Sequence, residues 1–289
     1  MISVIIPVYK KVDEFIKNLE HNLKFLKNIE IIILNDDPSQ SIQNRLFPKG
    51  ESPSALKNHN IHLIENHRNL GFAGTVDKGI RVAKNNYVFL LNSDVKLLDD
   101  SYKSAVKKFE QNDKIFGIAF SQKEKDGSIV GKNKLFWNQG LLQHSKADDL
   151  NEGETGWVEG GSSIIRRDIY ELIGGFDTIF SPFYWEDIEL SYRARKHGYT
   201  TWFDPSVLVE HHHESTIGSF WNRNEIKTIA YRNQLLCSWK YIRDTNVLAH
   251  ILNLKIRGMK SLIHGDLPFI KAYFMAVPFL FQPRFYKIR

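Results

Sequence analysis

Tyr87-Val88-Phe89-Leu90-Leu91-Asn92-Ser93-Asp94 is an apolar run of strand length that ends in an amide, a hydroxyl and a carboxylate. The first third of the chain repeats that pattern around it. Ser3 to Val8 is a predicted strand, Val12 to Leu26 a helix with apolar positions at Phe15, Leu19, Leu23 and Leu26, and Ile29 to Leu34 a second strand. A polar stretch over 35–60, broken by Pro38, Pro48 and Pro53, predicts a long loop with one short helix. His62 to Glu65 is a third strand, Gly74 to Asn85 a helix, and Tyr87 to Leu91 the fourth strand. Strands alternating with helices of this length predict a parallel α/β sheet. Ligands bind such sheets at the carboxyl ends of the strands, where Asn92-Ser93-Asp94 would lie.

Further along, Tyr102 to Gln111 reads as a helix, and short apolar runs from Gly117 to Ser163 suit an antiparallel extension of the sheet. Ile169 to Ile173 is a short helix stopped by Gly174-Gly175, and Ile188 to Lys196 another stopped near Gly198. Thr200 to Phe203 and Val207 to Val209 read as two strands bracketing Asp204-Pro205, and beyond His213 the pattern is helical. The expected organisation is a catalytic domain over 1–218, with a nucleotide-binding half at 1–100 and an acceptor half at 101–218, then a helical extension at 219–289.

With 289 residues, 42% hydrophobic and 25% charged, the chain has the composition of a folded soluble protein rather than a disordered one. Its single cysteine, Cys237, excludes an intramolecular disulfide and any cysteine-based zinc site, which suits a reducing cytoplasm. Met1 to Pro7 reads as a first strand rather than a signal peptide, and no apolar run approaches membrane-span length. Net charge is +6, yet 240–289 alone carries nine Lys or Arg against Asp244 and Asp266, a local +7. Aromatics such as Trp239, Tyr241, Phe274 and Phe281 are interleaved with those cations. The mixture suits peripheral contact with the inner face of a membrane better than nucleic acid, and packing of the aromatics on the main core is the rival explanation.

Four predicted strand ends carry polar groups: Pro7-Val8-Tyr9, Asn35-Asp36-Asp37, His67-Arg68-Asn69 and Asn92-Ser93-Asp94. Singly, each is ordinary turn chemistry. Together with Glu186-Asp187 opening a helix, they suggest group transfer from a phosphorylated donor. A strand-end carboxylate can hold a divalent metal against a diphosphate, and a second carboxylate can take a proton from a hydroxyl.

At this point the chain resembles the bacterial family 2 inverting glycosyltransferases of GT-A fold, including polysaccharide and rhamnosyl transferases. The matching pieces are Ser3-Val4-Ile5-Ile6-Pro7-Val8-Tyr9, Ile33-Leu34-Asn35-Asp36-Asp37-Pro38-Ser39, Arg68-Asn69-Leu70-Gly71-Phe72-Ala73-Gly74 and Leu90-Leu91-Asn92-Ser93-Asp94. They continue with Gly160-Gly161 and Arg166-Arg167, Gly174-Gly175-Phe176-Asp177, Trp185-Glu186-Asp187-Ile188-Glu189-Leu190 with Arg193, and Pro205 followed by His211. The resemblance implies a Rossmann-like mixed α/β sheet flanked by helices, with the C-terminal helical extension added.

It also implies that Pro7, Tyr9, Asp36 and Arg68 line the nucleotide pocket, Asp36 facing the pyrimidine, with Asn92, Ser93 and Asp94 contacting the donor. Asp94 would be the metal-binding acid of an Asp-x-Asp motif whose first position is Asn92 here, which leaves one fewer negative charge and a more exchangeable ion. His211 would complete the site, and an imidazole favours Mn2+ over Mg2+; His212 and His213 read as solvated loop. Asp187 matches the catalytic base and Glu186 an acceptor-orienting neighbour, although Asp187 could instead cap its helix and the two could exchange roles. Glu189 reads as an i, i+4 partner of Arg193. The implied reaction moves a sugar from a UDP- or dTDP-linked donor to a saccharide or lipid-linked saccharide in surface-polysaccharide synthesis. Rival readings are a nucleotidyltransferase, which lacks its glycine-rich loop after the first strand, and a non-catalytic carbohydrate- or membrane-binding protein.

Overall fold

In the computed structural model, residues 1–47, 56, 59–211 and 217–282 are described; Pro48, Pro53, His212, His213 and the tail's 283–289 lie outside them. The first half alternates as expected: β1 (Ile2–Val8), α1 (Val12–Asn22), β2 (Glu30–Asn35), α2 (Gln43–Leu46), β3 (Asn60–Glu65), α3 (Gly71–Val82) and β4 (Tyr87–Leu91). β1 runs parallel to both β2 and β4, and β2 parallel to β3. Alternate residues go to opposite layers: Val4, Ile6, Ile31 and Ile33 join Phe15 and Leu19 of α1, while Ile5, Ile32 and Leu34 join Val76 and Ile80 of α3. Burial on both faces is why these strands read as continuous apolar runs.

Several helix boundaries differ from the sequence expectation, most of all those of α1 and α3. α1 stops at Asn22, because the Asn22 side chain donates to the Val95 carbonyl (2.9 Å) and accepts from the Leu97 amide (2.8 Å), and the chain then turns. Leu23 and Leu26 still reach the core from that turn. α3 begins three residues early, at Gly71, whose φ of 71° starts the helix directly from the preceding loop.

The remaining elements are β5 (Val95–Leu97), α4 (Ala105–Gln111), β6 (Ile115–Lys123), β7 (Ile129–Val130), β8 (Asn133–Asn138), β9 (Leu141–Lys146), β10 (Gly153–Glu154), β11 (Ser162–Arg166), α5 (Arg167–Leu172), α6 (Glu186–Lys196) and β12 (Thr200–His211). Among the described residues, ten strands form one mixed sheet in the order β10-β12-β6-β11-β4-β1-β2-β3, with β5 on β12 and β7 on β6. β11 is antiparallel to both β4 and β6, whereas β6 and β12 are parallel. Thr200–His211 is one strand rather than the two predicted. Its register shifts between Asp204 and Leu208, where the Asp204 carboxylate accepts from the Ser206 amide (3.0 Å) and hydroxyl (2.6 Å). Pro205, with no N–H to give, is tolerated in that bulge.

Four helices close the chain: α7 (Ile217–Phe220), α8 (Arg223–Lys240), α9 (Val247–His264) and α10 (Leu267–Ala276). A capping box starts α8, with Asn222 and Glu225 each accepting the other's amide at 3.0 Å. α8 shares one apolar cluster with β9 and α6: Leu235, Leu236 and Trp239 pack with Leu141, Leu142, Trp157, Trp185 and Ile188. Among the described residues, no helix is long and apolar enough to cross a membrane.

Candidate active site

A cavity of about 650 Å³ opens at the carboxyl ends of β1, β2 and β4. Pro7 and Tyr9 line it from β1 and its exit, Asp36 from beyond β2, and Asn92, Ser93 and Asp94 from the turn after β4. Asp36 is anchored, one carboxylate oxygen accepting from the Leu70 amide (2.8 Å) and the Asn66 side chain (2.9 Å). The Ser93 carbonyl accepts from the Asn18 side chain at 2.9 Å, which ties the motif to α1. Arg68 is exposed and stays outside the cavity wall, because Asn66 and Asn69 of the same loop turn inward to bond Asp36.

Strand pairing brings His211 to Asp94. β12 sets His211 opposite Val95 of β5, leaving His211 Nε2 3.6 Å from Asp94 Oδ1. The other ring nitrogen, Nδ1, lies 2.6 Å from the Gln122 carbonyl oxygen, while the Gln122 amide donates to Glu159. That side-chain amide oxygen can only accept, so Nδ1 donates to it and Nε2 is the nitrogen turned towards Asp94. Asn92 Oδ1 nearby is buried with no hydrogen-bond partner among the described residues. A Cβ on Gly161 would meet His211 Cε1 at 2.9 Å and Asn92 Nδ2 at 3.0 Å, so a glycine is needed for the two side chains to approach. Among the described residues, no group of three or more His, Cys, Asp or Glu could hold a metal unaided. One carboxylate, one imidazole and an orphaned amide oxygen nonetheless fit a divalent cation whose remaining positions belong to a diphosphate, the usual division of labour for Mg2+ with phosphate substrates.

The opposite wall carries the paired carboxyls. Tyr184 and Trp185 both have positive φ (69° and 75°), and Trp185 occupies the cap position of α6, so Asp187 is not the cap. Instead the Asp187 carboxylate accepts from the Ile188 amide (2.8 Å) and the Gly160 amide (3.3 Å). Burial and the negative charge of Glu159 push its carboxyl up to about 6. Glu186 is more deeply buried, its Oε2 lacks a partner among the described residues, and burial followed by the Asp187 charge pushes it well above the usual carboxylate range. As pH rises Asp187 therefore gives up its proton before Glu186, which makes Asp187 the better proton acceptor of the two.

The C-terminal extension holds this wall in place. The Asn233 side chain donates to the carbonyls of Phe180 (2.7 Å), Phe183 (3.0 Å) and Tyr184 (2.8 Å), fixing the loop that leads into α6. Glu189 makes the expected i, i+4 pair with Arg193 and is buried. Arg193 (2.8 Å), Lys240 (2.9 Å) and the Tyr241 hydroxyl (2.6 Å) all converge on it, and Lys240 also reaches Asp177 at 2.7 Å. Sequence reasoning missed Glu159, Gln122, His144, Phe183 and Trp221. Glu159 had a signal, since it precedes Gly160-Gly161. Gln122 on β6 and His144 on β9 had none, because only strand pairing and the packing of α8 bring them to the site. His144 stands edge-on to Trp157 and Trp185, both at 5.3 Å, on the side of the cavity that contains Asp187.

The model of the Glycosyl transferase family 2 matches residues 3–174, more than half of the chain. A poly-beta-1,6-N-acetyl-D-glucosamine synthase from Staphylococcus epidermidis is 24% identical over 195 residues, covering 67% of this chain and 45% of its own. The synthase of the same name from Staphylococcus aureus is 23% identical over 202 residues, covering 70% and 47%. The chain thus spans about half the length of these relatives. Two solved structures share the fold. GalNAc-T7 with UDP, GalNAc and Mn2+ has a TM-score of 0.59 at 17% identity, covering 84% of this chain and 49% of that one. The mannosyltransferase PcManGT from Pyrobaculum calidifontis with GDP-Man and Mn2+ has a TM-score of 0.55 at 14% identity, covering 94% and 72%. The fold is that of the GT-A glycosyltransferases.

Proposed function

Because the chain belongs to glycosyl transferase family 2, we propose that it is an inverting transferase moving a sugar from a UDP- or dTDP-linked donor to a saccharide or lipid-linked saccharide acceptor of a surface polysaccharide. One observation carries the reading. A single cavity has Asp94 and His211 on one wall and, on another, the Asp187 carboxyl beside Glu186, whose proton is held more tightly. Pro7, Tyr9 and Asp36, which line the cavity, would receive the nucleoside, with the diphosphate towards Asp94. Asp94, His211 and Asn92 would hold Mn2+ or Mg2+, which when bound neutralises charge developing on the diphosphate leaving group.

Asp187 takes the proton of the acceptor hydroxyl as its oxygen attacks the anomeric carbon from the face opposite the diphosphate. The new C–O bond forms as the bond to the diphosphate breaks, the nucleoside diphosphate leaves, and the configuration inverts. Glu186 donates a hydrogen bond from its retained proton and orients the acceptor. The supply of nucleotide-sugars and the lone thiol suit a cytoplasmic setting.

A panel of UDP-, dTDP- and GDP-sugars incubated with Mn2+, with Mg2+ and with a chelator tests this. The expected result is metal-dependent hydrolysis of a UDP- or dTDP-sugar, accelerated by the acceptor. Turnover of none of the sugar nucleotides under any of these conditions overturns it.

A further inference from the structure

α9 is built inside out. Leu248 (79% exposed), Leu252 (59%), Met259 (57%), Leu262 (69%) and Ile263 (79%) all stand in solvent. At about 100° per residue they fall on one side of the helix, with exposed Lys255 in their midst. The side turned to the protein is the more polar one. It carries Ser261 and His250, whose Nδ1 is 2.6 Å from the Gly140 carbonyl and whose Nε2 accepts from Trp239 Nε1 at 2.9 Å. α10 continues the surface, with Leu267, Phe274 and Lys271 exposed, while its Phe269 and Ala272 are buried. A surface helix normally turns its apolar stripe to the core. An exposed apolar patch of this extent marks an interaction site.

We propose that this face of α9 and α10 docks onto an anionic phospholipid surface. The charges select that occupant. α9 carries Lys255, Arg257 and Lys260 and no acidic residue, and Asp266 is the sole acid from α9 through α10. Arg257 turns inward over the Tyr231 and Phe269 rings, 4.9 and 4.5 Å from their centroids, which leaves Lys255, Lys260 and Lys271 for the outside. A two-fold contact with a second copy would bring the Lys255 side chains of both chains into the same apolar seam with no acid on α9 to pair them. At a membrane, the leucine, isoleucine and methionine side chains enter the headgroup–acyl boundary while the lysine stems reach up to lipid phosphates. The inference goes beyond the transfer reading and does not depend on it.

The test is co-sedimentation of the full chain with vesicles of phosphatidylcholine alone and of phosphatidylcholine containing phosphatidylglycerol. Binding to the anionic vesicles that weakens at high salt is expected. Lys255→Glu should weaken it on the order of tenfold, as each surface-proximal charge contributes to attraction. The double variant L252E/M259E should abolish it while circular dichroism, melting temperature and donor hydrolysis stay unchanged, since both side chains are already in solvent. Absence of binding to anionic vesicles overturns the proposal, as does binding that both variants leave intact. A wild-type dimer in solution that L252E/M259E dissociates, without vesicle binding, assigns the face to a second copy instead.

Discussion

Asp187 and Glu186 are adjacent in sequence, and the fold raises their carboxyls by different amounts. Glu186 is buried beside the Asp187 charge, whereas Asp187 is half-buried and accepts two backbone amides. Asp187→Asn keeps the shape and removes the base, so turnover should fall about 10²–10⁴-fold with the donor constant held. Melting temperature should barely move, because the α6 cap is Trp185. Acidity provides a second readout. The carboxyl must be ionised to work and is pushed up to about 6, so turnover should fall about tenfold per pH unit below that value and level off above it. An ordinary aspartate, near 3.8, would leave the plateau intact down to pH 5. A rate profile flat from pH 5 to 8 would remove Asp187 from the role.

α6 and α8 meet through Glu189, whose expected i, i+4 pairing with Arg193 is present. An exposed pair of that spacing would be worth a few tenths of a kcal/mol. Lys240 and Tyr241 instead close over it and take it out of water. Burial alone would raise the Glu189 carboxyl, but the Arg193 and Lys240 charges beside it hold it down at about 2. The folded value is below the ordinary 4.5, so its stabilising contribution is complete above 4.5 and lost as pH falls through about 2. Glu189→Gln strands the Arg193 cation and leaves Lys240 with Asp177 alone, and should cost about 3–5 kcal/mol, read as a lower urea midpoint. A loss below about 1 kcal/mol would mean that solvent reaches the cluster.

At the scale of the molecule, the cavity joins the ends of β1, β2 and β4 to the end of β12, the start of α6 and the α7–α8 segment. A ligand filling it clamps elements from both ends of the chain. UDP with Mn2+ at about 100 times its dissociation constant should stabilise the fold by about 2.7 kcal/mol, read as a rise in melting temperature. Asp94→Ala should abolish the Mn2+-dependent part of that rise, and His211→Ala should reduce it less. An equal rise with and without Mn2+ in the parent protein would exclude the assigned metal corner. The β1–β4 half was legible because β1, β2 and β4 are buried on both faces and α1 and α3 carry a local apolar stripe. The β5–β12 pairing was not, since it joins residues more than a hundred positions apart and gives no periodicity to either segment.

The amino-acid sequence by itself determined the parallel α/β half, the helical extension, the strand-end position of Asn92-Ser93-Asp94 and the excess of cations near the C-terminus. Each of these is set by neighbours within a turn or a strand, so it shows as periodicity, punctuation or composition. Tertiary structure alone decided which of Glu186 and Asp187 keeps its proton, which nitrogen of His211 faces Asp94, that Arg68 stays outside the cavity, and that α9 turns its apolar side to solvent. Those outcomes depend on desolvation and on partners such as Glu159, Gln122 and Asn66, which only folding brings into contact with the residues they control.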